Sequence, residues 1–274
     1  MLTVEQREEF ERTGILKLEA AFTAEEAARM RDVVWRELGR RYEIERDDPT
    51  TWNRHAPTGL KSSKKSRAFA PILGSVVTDT LDDLFGSQQW VWPKHFGQVL
   101  VTMPNAAAWR VPHKQWHADF QYLYKPDGLF AVKYWALFDD VRPGGGGTPQ
   151  LAGSHRIASR YIEGRTTEQL EYKRVRDGVL RSHPWLRALS SADDDPDRNL
   201  RFMGGEVDVD GLPARVVECT GKPGDVYITH PWVMHSIAVN AANEPRLMRS
   251  MAIYAARSAS STGAQRSGLL LYGA

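Results

Sequence analysis

The sequence is short of several things, and each shortage narrows its function. It has a single cysteine, Cys219, so no internal disulfide can form and a reducing compartment is expected. No apolar run reaches the roughly 18 residues a membrane-spanning helix needs, and the first residues carry no apolar signal segment. Excess charge is missing too. A formal net charge of +2 offers no electrostatic footprint for nucleic acid or an anionic membrane surface. Together these absences predict a cytoplasmic protein that binds neither nucleic acid nor membrane. The run Gly144-Gly145-Gly146-Gly147 lacks the spacing and the Lys-Ser/Thr of a phosphate loop, and reads as a tight, permissive turn. Asp193-Asp194-Asp195 lacks the spacing and the glycine of an EF-hand loop, and reads as a solvated turn.

What is present suits a packed enzyme-sized core. At 274 residues with 42% hydrophobic content, the chain has ample material for one large domain. Thr3-Val4-Glu5-Gln6 and Thr23-Ala24-Glu25-Glu26 are capping boxes that start helices. Gly14 ends the first helix, and Ile15 to Leu18 follows as a brief strand. Ala27, Met30, Val34 and Leu38 recur at helical spacing in the second. Between Arg46 and Ala70 the periodicity fails, while Lys61, Lys64, Lys65 and Arg67 make the stretch basic. It reads as a solvated loop or as a lid that meets an anionic substrate. Val76 to Phe85 is a further short helix, and from Gln89 onward β-branched and aromatic runs punctuated by Gly and Pro dominate. The expectation is a mainly β protein with flanking helices, a sandwich or barrel.

Chemistry concentrates in Gln115-Trp116-His117-Ala118-Asp119-Phe120. On a strand, His117 and Asp119 would project from the same face. An imidazole and a carboxylate aimed at one point are two thirds of a 2-His-1-carboxylate triad, which holds Fe(II) and leaves coordination positions open. His235 is the candidate third ligand. His113 precedes His117 by four, but Pro112 argues against a helical metal pair, and His155 and His230 read as supporting or structural.

The ordered set of motifs resembles the phytanoyl-CoA dioxygenase family of Fe(II)- and 2-oxoglutarate-dependent oxygenases. Trp116-His117-Ala118-Asp119 is similar to its metal motif. Trp135-Ala136-Leu137-Phe138-Asp139-Asp140 through Gly153-Ser154-His155-Arg156 resembles its strand, turn and "GSH" signature. Gly224-Asp225-Val226 through His235, then Pro245-Arg246, resembles the distal histidine and cosubstrate arginine. The resemblance implies a double-stranded β-helix, a jelly-roll or cupin-like core. It also implies one oxygenase domain over 1–274, with a helical region at about 1–88, the core at about 89–260 and an insertion at about 157–205 that reads as a second wall of the substrate site.

By the same resemblance Fe(II) and 2-oxoglutarate are the cofactors and O2 the oxidant. His117, Asp119 and His235 hold the metal, and Arg246 pairs with the far carboxylate of 2-oxoglutarate. Arg offers a planar bidentate fork for that carboxylate. Arg249 is the competitor, three residues on and therefore on the other face of a strand. Members often place a hydroxyl two residues after the distal histidine. Here that position is Ile237, with Ser236 before it. Thr148, Gln98 or Tyr122 would then supply the missing hydrogen bond. Trp135, Trp116 and Lys61 are assigned to the substrate pocket, within an aromatic set that also includes Trp109, Tyr124 and Trp232.

The implied reaction hydroxylates an unactivated C–H bond of a small molecule, anionic if the lid lysines meet it. It converts 2-oxoglutarate and O2 to succinate and CO2. Retention of Asp119 speaks against halogenation, which needs that position open. The alternatives are a jelly-roll isomerase or hydrolase without 2-oxoglutarate and a non-catalytic jelly-roll binding protein. Neither requires a cation at position 246.

Overall fold

A computed structural model describes residues 1–61, 64, 66–122 and 128–256. Lys65, Tyr124 and the end of the expected core beyond 256 lie outside the described residues. Two antiparallel sheets organise the chain. The larger is built from β1 (Ile15–Leu18), β2 (Gln98–Thr102), β3 (Ala131–Leu137), β7 (Val226–Thr229) and β9 (Arg246–Tyr254), in the order β1-β7-β3-β9-β2. The smaller contains β4 (Pro149–Ala152), β5 (Val207–Val209), β6 (Leu212–Glu218) and β8 (Met234–His235), in the order β5-β6-β4-β8. This is the expected double-stranded β-helix with helices packed on its outside.

Alternation along the strands sorts side chains into three layers. Trp135, Leu137, Tyr227 and Met248 meet Ala152 and Val233 between the sheets. On the outer face of the larger sheet, Val132, Tyr134, Leu247, Met251 and Ile253 pack beneath α2 (Ala24–Tyr42) and α3 (Ser75–Phe85). Apolar on both faces, β3 reads as a continuous hydrophobic run, as a doubly covered strand must. The outer face of the smaller sheet is covered by α4 (Ser154–Ile162), α5 (Tyr172–Ser182), α6 (Pro184–Leu189) and α7 (Arg198–Met203).

Both predicted capping boxes form. Thr3 and Gln6 close the start of α1 (Val4–Thr13), and Thr23 and Glu26 close the start of α2, each satisfying otherwise orphaned N–H groups. Gly14 ends α1 in the left-handed region at φ 74°. A side chain there would also meet His155 Nδ1 and Val233 Cγ2 at 2.6 Å.

Three local expectations change. The lid reading fails for the end of the 46–70 stretch. Arg67–Leu73 forms a 3-10 helix whose Phe69 is fully buried in the outer core layer, and Leu60 is buried there as well. The segment 116–122, expected as a strand, makes only an isolated bridge between His117 and His235. The insertion, expected to wall the substrate site, packs against the back of the smaller sheet. One of its residues reaches the metal segment, where the Tyr172 hydroxyl donates to Ala118 O at 2.6 Å.

Candidate metal centre and cosubstrate pocket

His117 and His235 face each other across their bridge, with His117 N donating to His235 O at 3.0 Å and His235 N donating to His117 O at 2.8 Å. The rings lie 4.3 Å apart between centroids. Asp119 completes the cluster. His117 Nε2 is 3.9 Å from Asp119 Oδ1 and His235 Nε2 is 3.5 Å from Asp119 Oδ2. One ligand atom from each residue falls within 4.8 Å of the others.

The histidines are oriented for ligation. His117 Nδ1 lies 2.7 Å from Gln115 O and His235 Nδ1 lies 3.4 Å from Val233 O. A carbonyl oxygen only accepts, so each Nδ1 carries a proton and each Nε2 faces the cluster. Two imidazoles and one carboxylate, with no thiolate among them, form a donor set that fits Fe(II).

The electrostatics favour the protonation states a metal needs. Burial pushes the Asp119 carboxyl up. The Lys133 ammonium, followed by His235 and His117, overrides that and holds it well below the usual carboxylate range. Burial pushes the His235 imidazole down to about 3, against the opposing pull of Asp119. At neutral pH the site therefore holds a carboxylate and an uncharged His235. Lys133 Nζ is 2.5 Å from Asp119 Oδ2.

Ser154 of the "GSH" signature explains how His235 is placed. Its hydroxyl donates to Leu151 O at 2.6 Å and accepts from Met234 N at 2.8 Å, pinning β8 one residue before the ligand. Gly153 has φ 82°, and a Cβ there would sit 2.1 Å from Pro213 O. Only glycine permits that approach. His155, the third signature residue, lies outside the cluster, its Nε2 3.1 Å from Glu11 O and its ring 4.8 Å from that of His230. A cavity of about 460 Å³ opens beside those two histidines rather than at the metal cluster.

Arg246 is buried on the inner face of β9 and Arg249 on the outer face. The Arg249 guanidinium sits 3.7 Å above the Phe69 ring. Arg246 Nε donates to Gly146 O at 2.8 Å, Nη1 to Leu100 O at 3.2 Å and Nη2 to Thr102 Oγ1 at 2.6 Å. Glu218 braces the same turn, accepting from Gly144 N at 2.9 Å and Gly147 N at 3.0 Å. The glycine run is thus a stapled turn that presents a carbonyl to the arginine. Burial raises the Glu218 carboxyl to about 7, against the two N–H donors and Arg246. Burial lowers Arg246 to about 10, so it stays cationic at neutral pH.

The remaining expected residues scatter. Trp135 stands inside the barrel with its ring 4.9 Å from that of His235. Thr148 is interior, but its hydroxyl points at Met248 Sδ, 3.5 Å away. Gln98 is exposed at the start of β2, and Tyr122 is buried among Tyr172 and Trp232. None of these three hydrogen-bonds Arg246. Trp116 is buried behind the metal segment, with Nε1 donating to Pro112 O at 2.9 Å, and Lys61 is exposed. Ile237 is exposed, and Ser236 donates to Lys114 O at 2.7 Å rather than toward the arginine.

Sequence reasoning missed Thr102, which only the pairing Thr102↔Arg246 reveals. It also missed Lys133, although a lone charge in the apolar run of β3 is itself a signal. Gln150 is a third omission. It is fully buried opposite His235 in the β4–β8 ladder and beside the Cys219 thiol, and neither amide atom reaches hydrogen-bond geometry.

A sequence model of the family described as phytanoyl-CoA dioxygenase (PhyH) matches residues 10–248. The chain belongs to the phytanoyl-CoA dioxygenase family. Solved structures share its fold. The non-haem alpha-ketoglutarate-dependent carbocyclase SnoK from nogalamycin biosynthesis is 16% identical, with a TM-score of 0.56 over 93% of this chain and 84% of its own. HygX from Streptomyces hygroscopicus, with nickel and 2-oxoglutarate bound, is 17% identical, with a TM-score of 0.53 over 93% and 88%. The epimerase SnoN, in complex with Fe3+, alpha-ketoglutarate and nogalamycin RO, is 17% identical, with a TM-score of 0.53 over 92% and 82%. No protein of curated function matches the chain. Among the described residues, no helix is long and apolar enough to cross a membrane.

Proposed function

We propose that this member of the family is an Fe(II)- and 2-oxoglutarate-dependent dioxygenase. It hydroxylates an unactivated C–H bond of a small molecule while 2-oxoglutarate and O2 become succinate and CO2. The observation that carries this reading is the convergence of two imidazole Nε2 atoms and one ionised carboxylate inside a barrel whose same lining includes a buried arginine. The whole described chain is read as one oxygenase unit.

His117, Asp119 and His235 would hold the iron, which when bound supplies the oxidising chemistry and coordinates the 2-oxo acid. Arg246 would hold the far carboxylate. Described residues engage three of the five guanidinium donors, and the remaining two suit an oxyanion. Thr102 accepts from Arg246 and keeps its own O–H to donate, so it replaces the hydroxyl that Ile237 cannot offer. Trp135 and Met248 belong to the buried apolar layer between the sheets and would keep water from the reacting centre. Asp119 favours hydroxylation over halogenation. The structural neighbours include a carbocyclase and an epimerase, and the product of the native substrate decides between those outcomes.

Adding Fe(II) and 2-oxoglutarate without oxygen should produce the weak visible charge-transfer band of a chelated 2-oxo acid, and oxygen should then release succinate. Arg246→Ala should raise the KM for 2-oxoglutarate by roughly a hundredfold with iron affinity nearly unchanged, and Lys should restore only part, since it loses the fork. Metal binding without any response to 2-oxoglutarate would move the protein to the isomerase or hydrolase reading.

A further inference from the structure

The sequence assigned any anionic substrate to lid lysines, yet Lys61 is exposed and the better-placed cation is Lys133. It lies on the inner face of β3, two residues from Trp135, with its ammonium 5.1 Å from that ring's centroid and 2.5 Å from Asp119 Oδ2. Its side chain is 18% exposed, so it is not sealed from solvent. Strand register fixes which side of the metal it occupies. Leu137 pairs with Met248 toward Arg246, whereas Lys133 pairs with Ala252, and Ala131 with Tyr254, at the opposite end. Tyr254 stacks edge-on against Phe120, which packs the same way against Phe130. Among the described residues, the end of the barrel interior remote from the cosubstrate arginine is therefore aromatic and carries the Lys133 cation.

Charge balance gives that cation a purpose. Without metal, the Asp119 carboxylate compensates Lys133. A divalent ion held by the three donors would share that carboxylate, and the cluster would then be two units positive. One carboxylate of 2-oxoglutarate would offset one unit, and Arg246 would take the other carboxylate. One positive charge would remain uncompensated in a largely buried site, an unfavourable state that an arriving anion relieves.

We propose that Lys133 is a substrate-binding residue that selects molecules carrying an oxyanion, a carboxylate or a phosphate, on an apolar or aromatic body. This rests on the iron and 2-oxoglutarate reading above. The ammonium turns from Asp119 to the substrate's oxyanion once metal and cosubstrate are in place, and the aromatic rings take the body. The oxyanion anchors the molecule beside the metal, so oxidation falls a short distance from the anionic group. No bond to Lys133 forms or breaks.

The test uses the full protein loaded anaerobically with Fe(II) and 2-oxoglutarate. The charge-transfer band is followed while 3-phenylpropionate, phenyl phosphate or neutral 3-phenylpropionamide is added. One or both anions should perturb the band saturably and bind at least about tenfold more tightly than the amide. A response to only one assigns that oxyanion. Lys133→Met should erase the preference and Lys133→Arg should keep part of it. In Lys133→Met the affinity for Fe(II), measured by titration, should hold or rise, since a like charge has been removed from beside the dication. Equal binding of anions and amide, or an anion preference that survives Lys133→Met, overturns the assignment. So does a loss of 2-oxoglutarate affinity in Lys133→Met matching the loss for the anions, because the ammonium would then serve the cosubstrate. If wild-type protein develops no band with Fe(II) and 2-oxoglutarate, the oxygenase reading falls and this one with it.

Discussion

The two histidine-bearing segments reach one site by different means. His235 sits in β8, laddered to β4, and the Ser154 hydroxyl holds the preceding N–H. His117 and Asp119 belong to no ladder beyond their single bridge. Their segment is instead buttressed from behind by the insertion. Arg198, 2% exposed, donates from Nε to Val111 O at 2.7 Å and from Nη2 to Pro112 O at 3.3 Å. Asn199 bonds Val111 N at 2.8 Å and Trp109 O at 3.0 Å, and Tyr172 holds Ala118 O. A ligand on a paired strand is placed by backbone register. A ligand on an irregular segment is only as well placed as the side chains that satisfy its carbonyls.

Three substitutions break or sharpen that contrast. Asp119→Ala should have the largest effect, weakening Fe(II) binding by roughly a hundredfold or more and abolishing turnover, as read by metal titration and succinate release. Arg198→Met should come next. It leaves several buried carbonyls without a donor and should cost about 3 kcal/mol in chemical denaturation. Hydrogen exchange should accelerate over 111–119 while the amides of β8 stay protected, and equal loss on both segments would erase the distinction drawn above. Ser154→Ala removes two hydrogen bonds from the ladder side and should cost about 1–2 kcal/mol. Because the β4–β8 ladder remains, iron affinity should fall only a few-fold.

A separate prediction concerns the turn behind Arg246. Glu218 has its carboxyl raised from 4.5 to about 7. The folded protein therefore binds more protons than the unfolded chain within that interval. Glu218's contribution is fully present below pH 4.5 and is lost as pH rises through about 7. Glu218→Gln should flatten that part of the stability profile, a change of roughly 1–3 kcal/mol across it. An unaltered slope in pH-dependent denaturation would show that the titrating group lies elsewhere.

The irregularity of the His117 segment also explains one failure of strand phasing. The two-residue spacing correctly suggested that His117 and Asp119 share a direction, but for a reason the structure does not use, since no strand runs from 116 to 122. Strand phase did hold where a ladder exists, placing Arg246 inside and Arg249 over Phe69. The basic stretch from Arg46 to Ala70 misled because a short 3-10 helix buries residues without the 3.6-residue period that marks a longer helix.

The sequence by itself determined the class of the molecule, its capped helices at the front, the apolar β3 and the three candidate ligands and candidate arginine. Each of these is written in local chemistry, in a capping pair, a period or a residue type suited to a metal or a carboxylate. Only the tertiary structure decided which groups attend them. Thr102 meets Arg246, Glu218 staples the glycine turn, Arg198 holds the carbonyls ahead of His117, and Lys133 pairs with Asp119. Of these contacts the nearest in sequence, Lys133 to Asp119, spans 14 residues and the farthest, Thr102 to Arg246, spans 144. No periodicity connects residues so far apart. What joins them is the sheet register and the demand that buried polar groups find partners, and both exist only once the barrel has closed.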